Sequence, residues 1–144
     1  MARIKLELPS TFPFSTTIPI RITDINYGNH LGNDAVLSII HEARMQFLQH
    51  HNLSELSFSG ASLIMSDVAI EFKNEGFYGD VITVQVTASD FSRVGFDLFY
   101  RLTKQADEKE TVIAVAKTGM ICFDYNARKV VAVPEEAKGK LISL

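Results

Sequence analysis

Residues 33–50, which read NDAVLSIIHEARMQFLQH, have the residue pattern of one long helix with an apolar face, and this helix organises the fold. Apolar side chains recur there at the spacing of one helix face, and polar side chains occupy the opposite face. The apolar stripe consists of Val36, Ile39, Ile40, Ala43 and Phe47, and the opposite face carries Asp34, Ser38, His41 and Met45. Asn33 or Asp34 is suited to cap the start, because a short polar side chain accepts the free N–H groups of the first turn. The sequence therefore predicts one long helix that needs a large apolar surface to cover it.

On both sides of this helix, apolar and polar residues alternate with the period of two that is typical of β-strands. Before the helix, Ile18, Ile20 and Ile22 alternate in this way, and because Pro19 lacks a backbone donor we expect that strand to lie at a sheet edge or to pair late. Strands are expected after the helix near residues 62–72, 82–87, 96–103 and 111–123, and a short helix is expected after Pro134. The short turns between these strands favour antiparallel neighbours. The expected fold is α+β, a long central helix covered by an antiparallel sheet of about five strands, with a short C-terminal helix.

Composition limits the classes of function. A chain of 144 residues predicts a single domain spanning residues 1–144. Its net charge of −3 argues against general nucleic-acid binding, and no apolar run reaches the roughly 18 residues of a membrane span. The first residues lack the apolar block of a signal peptide, and the single cysteine, Cys122, lies in an apolar strand where a thiol is typically inert. These features favour a cytoplasmic protein, and the free side or edge of the sheet favours a homodimer.

Polar side chains concentrate in residues 24–34, which read DINYGNHLGND and lie between a strand and the long helix. Such a segment suits chemistry at a polarised carbonyl, because a helix start offers unpaired N–H groups and the positive end of a dipole to a developing oxyanion. Asp24, Asn26 and His30 are placed to orient or activate water beside it. From the residues alone, a solvated turn with an asparagine cap is the alternative interpretation.

The order of these residues resembles that of the hotdog-fold acyl-CoA thioesterases, in particular the 4-hydroxybenzoyl-CoA thioesterase-like branch. That branch carries the pattern D-x-D-x-x-G-H-x-N-N, followed after about nine residues by E-A-x-R. The corresponding residues here are Asp24-x-Asn26, Asn29-His30, Gly32-Asn33 and, later, Glu42-Ala43-Arg44. Further similarities are Tyr78-Gly79-Asp80 before a strand and Val133-Pro134-Glu135-Glu136 before the last helix, so that the resemblance covers roughly Thr16 to Leu141.

This resemblance implies that an acyl-CoA, or an acyl-carrier thioester, is hydrolysed at the interface of a dimer or tetramer without a cofactor or metal. It implies that the thioester carbonyl points at backbone N–H groups of the helix start, at Gly32, Asn33 and Asp34. Catalysis would then fall to Asn26, His30, Asp24 and Asn33. In the same scheme, Tyr27 lines the acyl pocket or simply covers the loop, Ser92 and Arg93 hold the nucleotide phosphates, and Glu42 and Arg44 fix the helix by ion pairs or hydrogen bonds.

One departure from the family pattern concerns the catalytic carboxylate, because Asn26 stands where the family carries its second aspartate. An amide orients water but cannot act as a general base or nucleophile near neutral pH. Three interpretations stay open. In the first, His30 is the base and Asn26 holds the carbonyl or the water. In the second, Asp24 supplies the carboxylate. In the third, the protein binds acyl-CoA without cleaving it. A further alternative is a hotdog dehydratase or hydratase that uses His30 and Glu42.

Overall fold

The computed structural model of the chain describes residues 1–142. Its strands are β1 (Phe14–Pro19), β2 (Ser62–Phe72), β3 (Val81–Ser89), β4 (Gly95–Ala106), β5 (Lys109–Asp124) and β6 (Lys129–Val130). Its helices are α1 (Asn33–His50) and α2 (Glu135–Ile142), and a 3₁₀ turn covers Ile22–Asp24. The predicted long helix, the four later strands and the short helix after Pro134 are thus confirmed. The two-residue β6 is an element that the periodicity was too short to indicate.

All strand pairs are antiparallel, and the strands follow the order β1-β3-β4-β5-β2, with β6 paired to β5. The expected edge position of β1 is confirmed, and β2 forms the other edge. The first strand is shorter than predicted, since it ends at Pro19 and Ile22 is exposed in the 3₁₀ turn. The reason is local, because the carboxylate of Asp24 accepts a hydrogen bond from the Arg21 N–H at 2.8 Å and turns the chain.

The core lies between α1 and one face of the sheet. All five residues of the predicted helix stripe are buried, and the opposite face of the helix is exposed. From the sheet, fully buried side chains such as Ile82, Val84 and Val86 meet them, and these alternate with half-buried Thr83 and Gln85. The α+β prediction of a helix covered by an antiparallel sheet is therefore confirmed.

Strand register fixes which end of the sheet carries the loop between β1 and α1. Pro19 pairs with Val81, and the Ile20 N–H donates to the Asp80 carbonyl at 2.9 Å, so this loop leaves the sheet where β3 begins. The same end contains the last residues of β2, because antiparallel pairing places Phe72 opposite Ala114 near the start of β5. The turn between β3 and β4 lies at the opposite end of the sheet.

Candidate functional site

The polar loop before α1 is closed by its own backbone hydrogen bonds. The N–H of Asn26 donates to the His30 carbonyl at 3.0 Å, and the N–H of Asn29 donates to the Asn26 carbonyl at 3.1 Å. Asn29 has a φ of 65°, a left-handed conformation that asparagine tolerates better than most residues. At the end of the loop, the Gly32 N–H donates to the Asp24 carbonyl at 3.0 Å. The loop therefore holds a defined shape against the start of the helix.

A second connection ties this loop to the turn between β2 and β3. The Leu31 N–H donates to the Gly76 carbonyl at 2.7 Å. That turn is fastened in its own right, because the Asp80 carboxylate accepts the Phe77 N–H at 2.9 Å and the Lys104 ammonium at 2.8 Å. Burial acts to raise the pKa of Asp80, but Lys104 and the Phe77 N–H outweigh it and hold the pKa below its ordinary value. Asp80 thus stays ionised and keeps the turn in place.

The N-cap of α1 is Gly32, which corrects the expectation that Asn33 or Asp34 caps the helix. Its backbone is extended, with φ −74° and ψ 152°, and no side chain caps the first turn. A β-carbon at position 32 would lie 2.7 Å from Oδ1 of Asp34 and 3.5 Å from Cβ of Asn26, so the loop packs closely here. Glycine permits that approach, and the two polar residues fall one and two positions inside the helix.

Three N–H groups at the start of α1 have no hydrogen-bond partner among the described residues. Within residues 1–142, the N–H groups of Asn33, Asp34 and Ala35 make no hydrogen bond, and the first bond of the helix is from Val36 N to Gly32 O at 3.1 Å. Unpaired N–H groups of a first helical turn carry a partial positive charge and bind anions or polarised oxygens. The geometry supplies the donors that the polar segment predicted.

The side chains of Asn26 and His30 converge beside this helix start. Oδ1 of Asn26 accepts the Gly28 N–H at 2.9 Å, which leaves the amide NH₂ of Asn26 unpaired within the described residues. A β-carbon at Gly28 would lie 3.2 Å from Nε2 of His30 and 3.3 Å from Oδ1 of Asn26. Both side chains therefore face one corner, and Asn26 stands between the imidazole and the helix start.

The hydrogen bond of the imidazole fixes which nitrogen faces this corner. Nδ1 of His30 lies 3.3 Å from the Leu31 carbonyl oxygen, which can only accept, so we assign the proton to Nδ1. Nε2 is then the nitrogen with a free lone pair, and it is the ring nitrogen that lies beside Gly28, as Oδ1 of Asn26 does. This tautomer is the one that a general base requires.

Asp24 is the buried member of the segment, with an exposed fraction of 5%. Its Oδ2 accepts the Arg21 N–H at 2.8 Å, and its Oδ1 lies 3.4 Å from Nη2 of the Arg21 guanidinium. Its backbone carbonyl accepts the Gly32 N–H. All of these contacts hold the loop together, so the local geometry suits Asp24 to support rather than to attack.

A cleft of about 210 Å³ opens beside His30 at the end of β2. Its lining residues are His30, Leu31, Asn33, Val36, Phe72, Lys73, Asn74, Glu75, Gly76 and Ile113. The lining combines apolar residues such as Val36 and Phe72 with polar residues, among them His30 from the loop and Asn33 from the helix start. The cleft therefore opens directly beside His30.

The structure does not bring every predicted site residue to this corner. Tyr27 is fully exposed, so within one chain it lines no pocket. Ser92 and Arg93 lie in the turn between β3 and β4, at the opposite end of the sheet, roughly 25–30 Å away along β3. There Oγ of Ser92 donates to the Gly95 carbonyl at 3.3 Å, and Arg93 is exposed.

Arg44 is buried between α1 and the sheet, with an exposed fraction of 4%. Its Nη1 donates to the Tyr100 hydroxyl at 3.3 Å, and that hydroxyl is 2.7 Å from Oγ1 of Thr118. Its Nε lies 3.7 Å from Oε1 of Glu55 and makes no hydrogen bond. Burial raises the pKa of Tyr100, which keeps the hydroxyl protonated. Sequence analysis missed Tyr100 and Glu55, although a tyrosine on an otherwise apolar strand face, here between Leu98 and Leu102, is a sign of a buried polar partner.

Glu42 lies on the exposed face of α1, where its carboxylate accepts a hydrogen bond from Nε2 of Gln46 at 2.7 Å. The groove that Glu42 lines is between α1 and β1, and it contains none of the loop residues from 24 to 34. Glu42 lies about two and a half turns into the helix, roughly 13 Å along the axis from Asn33. It is therefore separate from the corner that holds His30.

In residues 1–142, no three His, Cys, Asp or Glu side chains are grouped so that they could hold a metal ion. None of the helices described there combines the length and the apolar character needed to cross a membrane.

Comparisons with known proteins agree on one family. The model of the thioesterase-like superfamily matches residues 20–141. A 1,4-dihydroxy-2-naphthoyl-CoA hydrolase from Microcystis aeruginosa is 30% identical over 132 residues, which cover 88% of this chain and 89% of that protein.

Two crystal structures have the same fold. A thioesterase superfamily protein from Jannaschia sp. CCS1 has a TM-score of 0.82 and 14% identity, over 94% of this chain and 84% of that one. A 1,4-dihydroxy-2-naphthoyl-CoA thioesterase from Synechocystis has a TM-score of 0.80 and 21% identity, over 91% of this chain and 96% of that one.

Proposed function

Because this chain belongs to the thioesterase-like superfamily, we propose that it hydrolyses an acyl-CoA, or another acyl-phosphopantetheine thioester, to the free acid and the thiol. Two of the proteins named above are described as a 1,4-dihydroxy-2-naphthoyl-CoA hydrolase and a 1,4-dihydroxy-2-naphthoyl-CoA thioesterase, which makes aromatic acyl groups the first substrates to test. The observation that carries the proposal is the set of unpaired N–H groups at the start of α1, beside Asn26 and His30. The hotdog fold positions these groups, and the chemistry follows from them.

In this proposal, the thioester carbonyl oxygen accepts hydrogen bonds from the free N–H groups at Asn33, Asp34 and Ala35. Negative charge develops on that oxygen as the carbonyl carbon becomes tetrahedral. Donors already fixed in place need no reorganisation, and one such donor contributes about 2.7–4 kcal/mol of transition-state stabilisation in other acyl-transfer enzymes. The helix dipole acts in the same direction.

We assign the role of general base to Nε2 of His30. It takes a proton from a water molecule whose oxygen attacks the carbonyl carbon, the C–S bond then breaks, and the departing thiolate receives the proton. The amide NH₂ of Asn26 donates to the water or to the carbonyl, and Asp24 supports the loop through Arg21. Asn33 contributes its backbone N–H and one wall of the cleft.

A second candidate function is binding of acyl-CoA without turnover, and the amide at position 26 favours it because an amide cannot abstract a proton. The two other interpretations have less support from the geometry. The Asp24 carboxylate is already engaged by Arg21, and a dehydratase pairing of His30 with Glu42 conflicts with the separate grooves that these residues line.

We further propose that two copies assemble along β2, as the resemblance implies. Met65, Val68 and Phe72 are partly exposed on this edge strand, which has an open row of backbone groups. A two-fold axis across β2 makes the paired strands antiparallel, so the turn carrying Ser92 and Arg93 in one copy approaches the His30 cleft of the other. A tetramer of two such dimers and a location in the reducing cytoplasm complete the proposal.

The test is release of thiol from a panel of short, long and aromatic acyl-CoAs, with 1,4-dihydroxy-2-naphthoyl-CoA and benzoyl-CoA among them. His30→Ala and Asn26→Ala are compared with His50→Ala, which removes an exposed histidine at the far end of the same helix. The proposal predicts loss of turnover in the first two variants and wild-type turnover in the third. Calorimetric binding of CoA esters by a protein that releases no thiol would select the binding function, and a change in enoyl absorbance with crotonyl-CoA would select hydration.

A further inference from the structure

The first residues of the chain form an extended arm that lies outside the residues matched by the family model. This arm, residues 1–13, runs past the end of β2 before it enters β1. One hydrogen bond anchors it, from the N–H of Leu6 to Oε2 of Glu71 at 2.8 Å. Nothing in the thioesterase motif accounts for the arm or for its place beside the cleft.

Between the arm and β2 lies a groove of about 770 Å³, which we name the arm groove. It is lined by Met1, Ala2, Arg3, Ile4 and Lys5 on one side and by Ile70, Glu71, Phe72 and Lys73 on the other. Arg3 and Lys5 make no ion pair within residues 1–142. The single carboxylate of the groove, Glu71, already contacts Leu6 N–H and lies 3.6 Å from the ammonium of Lys73. The groove is therefore locally cationic in a protein whose net charge is −3.

The arm groove adjoins the candidate active site. Phe72 and Lys73 line both the arm groove and the cleft that contains His30. A ligand whose reactive end lies beside His30 and whose other end is polyanionic thus meets the cations of the arm without leaving the surface. An acyl-CoA has this form, because a flexible pantetheine connects the thioester to a nucleotide with several phosphate charges.

We propose that Arg3 and Lys5 of the arm, together with Lys73, bind the nucleotide phosphates of CoA. This inference rests on the proposed function and adds to it the part of the substrate that the arm recognises. Exposed ammonium and guanidinium groups attract a phosphate at separations up to about one Debye length, and direct contact adds charge-assisted hydrogen bonds. The arm then supplies, within one chain, the positive charge that the resemblance placed at Ser92 and Arg93.

The main experiment compares the full-length Arg3→Gln/Lys5→Gln variant with wild type on three thioesters of one acyl group. These are the CoA ester, the 4'-phosphopantetheine ester and the N-acetylcysteamine ester, which has no phosphate. We expect KM for the CoA ester to rise about 5- to 10-fold with unchanged kcat, and the N-acetylcysteamine ester to show no change. A rise for the phosphopantetheine ester as large as that for the CoA ester would mean that the arm reads the phosphate nearest the thiol, and would overturn the assignment to the nucleotide.

Two control variants locate the effect. Arg128→Gln/Lys129→Gln removes the same charge from the turn and the short β6 that follow β5, and Arg93→Gln tests the turn between β3 and β4. An equal rise in KM in the Arg128/Lys129 variant would show a general charge effect and overturn the proposal. If KM for the CoA ester rises in Arg93→Gln but not in the Arg3→Gln/Lys5→Gln variant, the proposal is overturned too. If wild type releases no thiol from any thioester, calorimetric titration with CoA gives the same comparison as a change in Kd.

A further variant separates the position of the arm from its charge. Glu71→Ala removes the only carboxylate of the arm groove together with the anchor of Leu6. If charge alone mattered, CoA would bind this variant more tightly than wild type. Because the arm must be held in place, we expect Kd for CoA to rise about 3-fold or more, with the melting temperature as the control for folding. Tighter binding would overturn the proposed role of the arm.

Discussion

Replacing His30 separates catalysis from folding more clearly than any other change in the loop. In His30→Gln, the amide has a similar length and still reaches the Leu31 carbonyl, but it has no basic lone pair. We expect kcat to fall by about 100- to 10,000-fold, the range over which general bases contribute, with KM within about 3-fold of wild type. In free energy this loss corresponds to about 2.7–5.5 kcal/mol of transition-state stabilisation.

The effect on stability is expected to be far smaller. His30 is half-buried, and its one hydrogen bond is long at 3.3 Å. A bond of this kind contributes about 0.5–1.5 kcal/mol, and glutamine retains part of it. The free energy of unfolding of His30→Gln should therefore lie within about 1 kcal/mol of wild type.

The assay follows steady-state thiol release from the best acyl-CoA over a range of substrate concentrations, with urea denaturation on the same preparations. His50→Gln, an exposed histidine at the far end of α1, is the matched control and should retain full activity. A kcat for His30→Gln within about 3-fold of wild type would refute the assignment of His30 as the base. Loss of activity together with a large loss of stability would equally refute it, because the residue would then be structural.

Three other predictions follow from single contacts. Asn26→Asp in the His30→Gln background should restore at least about 10-fold of the lost kcat, since it places a carboxylate beside the helix start, and no gain in thiol release would contradict this. Arg44→Met should change the free energy of unfolding in urea by less than about 1 kcal/mol, whereas Arg44→Ala should lower it by about 2–4 kcal/mol. The reason is that packing by the side chain outweighs its one 3.3 Å hydrogen bond to Tyr100, and equal losses in the two variants would contradict that ranking. Burial raises the pKa of Cys122 to about 11, so that about 0.1% of this side chain is thiolate at pH 8. A disulfide reagent should therefore label Cys122 only in guanidinium or as the pH approaches that pKa. Rapid labelling of the native protein at pH 8 would contradict the burial.

The elements with long periodic patterns were predictable from the sequence. The stripe from Val36 to Phe47 is buried as a unit, because a helix face that long has only the sheet to cover it. The edge position of β1 followed from Pro19, whose missing N–H would leave an interior ladder incomplete. In both cases, the residues themselves carry the physical requirement that the fold satisfies.

Features that depend on contacts between distant residues were not predictable. The alternation of Ile18, Ile20 and Ile22 continues past the true end of the strand, since the carboxylate of Asp24 turns the chain at Arg21. The N-cap is Gly32 rather than Asn33 or Asp34, and a β-carbon there would lie 2.7 Å from Oδ1 of Asp34, a contact that depends on the folded loop and helix start. Arg44 finds its partners Tyr100 and Glu55 only when α1 lies on the sheet.

The corner beside His30 is a further case, because only part of it is local. Asn26 and His30 are near one another in sequence, so motif and spacing bring them together. The end of β2 and the turn at Gly76 complete the cleft from residues more than 40 positions away. The arm along β2 lies outside the family pattern, so no motif could have placed it.

The hydrogen bond from Leu31 to Gly76 joins the loop before α1 to the turn between β2 and β3, and little space separates the two segments there. A β-carbon at position 76 would lie 2.8 Å from Cδ1 of buried Ile20 and 3.4 Å from Leu31. An added methyl group there pushes against Ile20 and Leu31, which displaces the loop before α1 and, with it, the imidazole of His30. In the proposed mechanism, a substitution at residue 76, which also lines the cleft, therefore alters selectivity and rate by moving the backbone that carries His30, so this position is a starting point for laboratory evolution.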